Sequence, residues 1–209
     1  MKLIDLNVAD FAIKLASSEP TPGGGSAAAL SGVMGTALLR MVCNLTTGRK
    51  KYAEHEELMQ EILAKTEEKC TALLAAIDAD ADAYDGVSAA FKMPKETDDE
   101  KKARSAAIQE ALKAATLSPF AILEHCGAVL ALAYKAKGCT NTNAASDLGV
   151  AAMNLKIAMD GAWLNMLINI SGIKDEVFCE DLKAKAQTAI NQAENQVKEI
   201  IAQVMLEIS

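Results

Sequence analysis

Ile77-Asp78-Ala79-Asp80-Ala81-Asp82-Ala83-Tyr84-Asp85-Gly86 lies inside a long segment with helical periodicity. Helix geometry turns the chain about 100° per residue, so side-chain directions can be assigned relative to Ile77. Leu73, Ala81, Tyr84, Val87, Ser88 and Phe91 then fall within roughly 80° of Ile77 and form one mostly apolar stripe. Asp78, Asp82 and Asp85 point away, at about 100°, 140° and 80°. Asp80 lies at about 300°, between Leu73 and Val87, so one of the four acids faces inward. An unpaired buried carboxylate costs on the order of several kcal/mol. Either a basic partner meets it, or its pKa rises and it can serve as a general acid/base. A hydrogen-bonded polar core residue would satisfy the same geometry.

Working outward, the long segment spans about Ala53 to Met93 and stops at Pro94. On its N-terminal side, Leu3, Ile4, Val8, Phe11, Ala12 and Leu15 predict a short first helix. The loop Ser17–Ser26 follows, with Pro20, Pro22, Gly23, Gly24 and Gly25. The prolines stiffen it, and the glycines free its backbone for positive φ and close approach. The small-residue run from Ser26 to Thr47 predicts a central helix packed on several neighbours, or lying at a subunit interface. The glycine loop therefore stands at a helix N-terminus, where free N–H groups favour an anion or a carbonyl oxygen. A plain helix-entry turn accounts for the same pattern. Arg49, Lys50 and Lys51 stand at the other end, where cations suit the helix dipole.

On the C-terminal side, Thr97-Asp98-Asp99-Glu100 is a capping box, opening a helix to about Leu117. Ser118-Pro119 is a further start signal for a helix ending near Gly138. The polar loop Cys139–Asp147 supplies Asn143 or Ser146 as a cap, and its paired amides (Asn141, Asn143) suit the edge of a heterocycle. Asn165 and Asn169 stand one turn apart in the next helix. A last helix runs from about Asp175 to Ile208. No strand-like alternation occurs. The expectation is one domain over residues 1–209, an all-α antiparallel up-and-down bundle of about seven helices, one of them very long.

Composition narrows the function. The net charge of −7 offers no basic face, so nucleic-acid binding is not expected. Five scattered cysteines without Cys-x-x-Cys, and only two histidines, argue against a disulfide framework or a metal site and for a reducing, cytoplasmic setting. Asp5 and Asp10 interrupt any signal-peptide core. The apolar stretch Ser26–Leu39 is too short for a membrane span, so no membrane association is expected.

Taken together, Pro22-Gly23-Gly24-Gly25-Ser26, Gly48-Arg49, Asp78-Ala79-Asp80-Ala81, Pro94-Lys95, Asn141 with Asn143, Ser146-Asp147-Leu148 and Asn165 resemble the formiminotransferase-cyclodeaminase C-terminal family, over nearly the whole chain. That family includes stand-alone methenyltetrahydrofolate cyclohydrolases. The match departs at Thr140, where the family often carries glycine. The resemblance implies an all-helical homodimer that binds a folate, with no tightly bound cofactor and no metal. It implies Asp80 as the catalytic acid/base. Implied substrate contacts are Pro22, Gly23, Gly24, Gly25, Ser26, Arg49, Lys95, Asn141, Asn143, Asp147 and Asn165. Arg49, Lys50 and Lys95 are candidates for the glutamate tail, single or polyglutamylated. The first activity implied is cyclodeamination of 5-formiminotetrahydrofolate to 5,10-methenyltetrahydrofolate and ammonia. The alternative is hydrolysis of the methenyl compound to 10-formyltetrahydrofolate. A more distant alternative is a non-catalytic folate-binding or dimerisation module.

Overall fold

Small residues bring the central helix close to its neighbours. In the structure, a computed structural model describing residues 2–209, the run after the prolines becomes α2 (Gly24–Thr46). It packs on α3 (Glu56–Phe91) and α5 (Ala145–Ile170). A methyl group at Gly32 would come within 2.6 Å of Cys126 Sγ, and one at Gly35 within 2.9 Å of the Ala151 carbonyl oxygen. Neither gap exists for a larger residue, so the glycines set the spacing between helices.

The remaining helices are α1 (Val8–Leu15), α4 (Asp98–Ala136) and α6 (Glu176–Ile208), with single 3-10 turns at Leu3–Asp5, Lys50–His55 and Thr142–Ala144. Successive long helices pack on one another, so their directions alternate up and down. α4 lies behind, touching α3, α5 and α6. The core is aliphatic, with Leu39, Ile62, Leu73, Ile122, Leu130, Leu155 and Met159 fully buried. The capping box at Thr97 and Glu100 forms, and Asp175 caps α6 through the Phe178 N–H.

Six α-helices are present among the described residues, not seven. The difference lies at Ser118-Pro119, which does not start a helix: Pro119 sits inside α4, a continuous 39-residue helix. A mid-helix proline removes the bond to the carbonyl four residues back and crowds it. Here that carbonyl, on Ala115, receives the Asn169 side-chain N–H at 2.8 Å instead. The very long helix expected over Ala53 to Met93 is present as α3, with 36 residues, and α4 and α6 match it at 39 and 33. The first helix also divides, because Asn7 caps α1 through the Asp10 N–H and leaves Leu3–Asp5 as a separate turn. α5 is entered from Ala144 without a side-chain cap, so neither Asn143 nor Ser146 has that role. The apolar stretch at Ser26 is longer than expected: all 23 residues of α2, and part of α4, are long and apolar enough to cross a bilayer. About half of each such window, 50% and 56%, is buried within the bundle.

The packing generates opposite outcomes for two glycine substitutions. Gly35→Ala places a methyl against backbone and should lower unfolding free energy by about 1–3 kcal/mol. Gly86→Ala, in α3 with nothing within 4 Å of the new methyl, should raise it by about 0.5–1 kcal/mol. Thermal and urea denaturation of the two variants checks both signs.

Candidate active site

Asp80 reaches the N-terminus of α2 across a gap that only glycine leaves. Its carboxyl occupies the space where a Gly25 side chain would stand. Gly23, the residue before α2, provides no side-chain cap, so the first N–H groups of the helix face Asp80 from about a quarter of the chain away. Burial pushes the Asp80 carboxyl above the ordinary aspartate value; the Ser26 amide and hydroxyl work against it. The hydroxyl has one proton to give, and the Ile77 carbonyl competes for it at 2.8 Å, a bond that ties α2 to α3 beside the acid. Among the described residues no cation pairs with Asp80, so of the two cases left open by the sequence, the geometry matches the raised pKa. Asp82 and Asp85 are exposed. Asp78 is not exposed as its helix phase suggested: Oδ1 accepts the Leu3 N–H at 2.6 Å, tying the N-terminal turn onto α3, and Oδ2 is buried beneath that turn's contact.

Asp80 opens into a cleft of about 360 Å³, lined also by Pro20, Thr21, Gly23, Gly24, Tyr84, Val87 and Asn165. That volume lies within the range of small-ligand sites, roughly 300–1,000 Å³. Gly24 is pressed against Asn165, where a methyl group would come within 3.1 Å of Nδ2. Close approach is thus the use made of these glycines. The positive φ expected of the loop does not occur there: Gly24 and Gly25 are helical, and among the described residues positive φ occurs at Gly48 and Gly138. Pro22 is buried behind the entry loop.

The other sequence-predicted residues stand elsewhere. α2 is roughly 33 Å long from Gly24 to Thr46, and Arg49, Asn141, Asn143 and Asp147 gather at its far end. Asn141 is buried and its amide is already bonded: Nδ2 donates to the Leu45 carbonyl at 3.1 Å and Oδ1 accepts the Asn143 N–H at 3.1 Å. Its backbone N–H donates to Thr46 Oγ1 at 2.9 Å. Asn141 therefore joins the end of α2 to the turn before α5. Asn143 is exposed, and Asp147 lies in the first turn of α5, where its charge suits the dipole. Arg49 is exposed and makes no side-chain hydrogen bond or ion pair among the described residues. Lys95 is exposed in the turn beyond α3, whose end at Phe91 is roughly 16 Å along the axis from Asp80.

Sequence reasoning missed several groups. Tyr52, buried in the Lys50–His55 turn, accepts the Thr142 N–H at 3.1 Å. Hydrogen bonds from the Thr142 hydroxyl and amide lower its phenol pKa to about 8. Tyr84 and Val87 line the cleft, and their helical spacing from Asp80 was the available signal. Asn169 also lines it, one turn beyond Asn165.

The formiminotransferase-cyclodeaminase family model matches residues 7–188. The chain belongs to this family. A methenyltetrahydrofolate cyclohydrolase of Methylorubrum extorquens is 47% identical over 167 residues, covering 80% of each chain. The formimidoyltransferase-cyclodeaminase of Rattus norvegicus is 31% identical over 194 residues, 93% of this chain but 36% of that protein. This chain thus spans about a third of the length of such animal relatives. The solved formiminotetrahydrofolate cyclodeaminase of Thermotoga maritima superposes with a TM-score of 0.87, at 27% identity, over 98% of both chains. Within the chain, the cleft and the inward acid share the N-terminal end of α2.

The raised Asp80 pKa has a signed consequence for stability. The native carboxyl holds its proton to higher pH than the unfolded one, so the group's contribution is most favourable below the ordinary value. It declines as pH rises through the raised value. Asp80→Asn does not titrate, so its stability relative to the parent should increase with pH across that window and level off above it. Urea denaturation at a series of pH values measures this.

Proposed function

We propose that Asp80 is the general acid/base of a folate enzyme acting at the one-carbon unit between N5 and N10. The observation that carries this reading is a half-buried carboxyl with no cation partner among the described residues and an upward-shifted pKa, lining a ligand-sized cleft. Two reactions use such a group. In hydrolysis of 5,10-methenyltetrahydrofolate, Asp80 takes a proton from the water that adds to the cationic methenyl carbon. It returns the proton to N5 as the C–N5 bond breaks and the hydroxyl on the carbon gives up its own proton to solvent, leaving the formyl group on N10. In cyclodeamination, N10 attacks the formimino carbon on N5, and Asp80 protonates the departing nitrogen so that ammonia leaves in place of amide ion. Positioned acid/base groups contribute typically about 10²–10⁴-fold to rate. As carboxylate, Asp80 also faces the cationic methenyl ring and stabilises it.

The sequence alone put cyclodeamination first. The cyclohydrolase name of the 47% identical relative now supports hydrolysis as the leading reading. The cyclodeaminase name of the structural neighbour keeps ammonia release as the second. Parallel assays of methenyl hydrolysis and ammonia release decide between them.

We also propose that the working unit is a homodimer. The outer faces of α2 and α5 carry Met34, Met41, Leu45, Met153, Ile157 (60% exposed), Leu164 (66%) and Ile168 (72%). Patches of this kind mark interaction surfaces. A two-fold axis across α2 would set one copy's Arg49 loop beside the other copy's Asp80 cleft. That arrangement gives Arg49 access to an anionic glutamate tail that it cannot reach within its own chain.

Asp80→Asn should fold, bind folate and lose at least about a hundredfold in kcat. Gly25→Ala, which displaces the same carboxyl, should lose a similar factor with Asp80 still present. Asp82→Asn should lose little. Steady-state kinetics of the three variants, with circular dichroism to verify folding, checks the order. An active Asp80→Asn beside an inactive Asp82→Asn would remove Asp80 from the mechanism.

A further inference from the structure

Pro119 has no N–H, so the Ala115 carbonyl in the middle of α4 lacks its helical donor. Ala115 is buried, and a buried carbonyl without a partner is costly. The donor comes from another helix: Asn169 Nδ2 on α5, at 2.8 Å. The bond has a second consequence. It fixes which end of the Asn169 amide is nitrogen, and therefore where its oxygen stands. Asn165 is fixed in the same sense, because its Nδ2 donates to the Gly161 carbonyl at 2.8 Å. Among the described residues no donor meets Oδ1 of either side chain. Asn165, Asn169 and Ala115 all line the Asp80 cleft. Residues four apart on a helix have Cβ atoms about 5–6 Å from one another. The cleft thus holds two amide acceptors, one turn apart, on the wall made by α5.

We propose that Asn169, held by the carbonyl that Pro119 leaves free, acts with Asn165 to bind the N–H donors of a tetrahydropterin ring, its exocyclic amino group among them. The inference rests on the folate reading above and adds the groups that orient the ring toward Asp80. Asn169 contacts the ligand in this account, and Pro119 is a positioning residue that acts through it. Each amide nitrogen keeps one further N–H, but neither oxygen meets a donor among the described residues, so the pair offers two free acceptors and favours a ring with a donor edge. A reacting carbon held at a fixed distance from Asp80 is the gain.

The test separates binding from helix repair. Pro119→Ala supplies a backbone N–H at position 119 that can bond Ala115, so the variant should be at least as stable as the parent while the Asn169 amide is released. Its KM for the folate substrate should rise roughly three- to tenfold, the equivalent of one hydrogen bond, with kcat within about twofold. Asn169→Leu alone should lose both stability and affinity, because Ala115 is then left without a donor. In the double variant Pro119→Ala/Asn169→Leu the carbonyl is bonded again, so stability should return while affinity stays low. Tetrahydrofolate binding, followed by Trp163 fluorescence, gives the affinity directly. The parent should discriminate against a tetrahydropteridine lacking the exocyclic amino group, and the double variant should discriminate less. A stable double variant with unchanged affinity and unchanged discrimination would overturn the proposal and reduce Asn169 to a cap for Ala115. That result would leave the folate reading standing if Asp80→Asn were still inactive. Failure of the parent to bind tetrahydrofolate at all would overturn both.

Discussion

The seat of the Asp80 carboxyl against the start of α2 is the contact on which the site depends. Two forces oppose each other there. Burial disfavours the ionised form, whereas the free N–H groups and the dipole of α2 favour it. A carboxyl held between them stays near its protein surroundings in either protonation state, which suits a group that must give and take one proton. Gly25 makes the contact sterically feasible, and the Ser26–Ile77 hydrogen bond holds the two helices in register beside it.

The same economy of side-chain volume runs down α2. Gly25 admits a carboxyl, Gly32 a cysteine sulfur and Gly35 a backbone carbonyl, so one helix face without side chains sets both the site and the packing. Close approach of α2 to α3 and α5 leaves the outer faces of α2 and α5 apolar and uncovered. In the proposed dimer the helix carrying the site at one end and Arg49 beyond the other serves both copies. The polar amides of α5 then complete the wall opposite Asp80.

Much of this was legible in the sequence, and particular residues explain why the rest was not. Periodicity alone turned Asp80 inward and Asp82 outward, because a long helix keeps its phase and four acids in eight residues sample its circumference. The capping box at Thr97 and Glu100 is a local signal, and it holds. Pro119 misled because its tolerance depends on Asn169, fifty residues away; no local pattern records that donor. The family resemblance grouped Asn141 and Asn143 with Asp80 as substrate contacts; within one chain the length of α2 sets their loop at the opposite end. Asp78 shares its helix with Asp80, yet its partner is a backbone N–H in a turn that the sequence merged into the first helix. Caps and periodic faces are encoded within a few residues; the missed features each needed a partner supplied by the tertiary fold.

The central claim is that burial against α2 leaves Asp80 with a proton beyond the ordinary carboxyl range. Carboxyl-carbon NMR of protein labelled at aspartate, with the Asp80 resonance assigned by its loss in Asp80→Asn, follows that titration directly. The account predicts a midpoint clearly above the roughly 3.9 of a free aspartate, moving back toward it when Gly25→Ala expels the side chain. A midpoint at or below that value in the parent would mean that the α2 amides outweigh burial, leaving Asp80 a helix cap and not an acid/base.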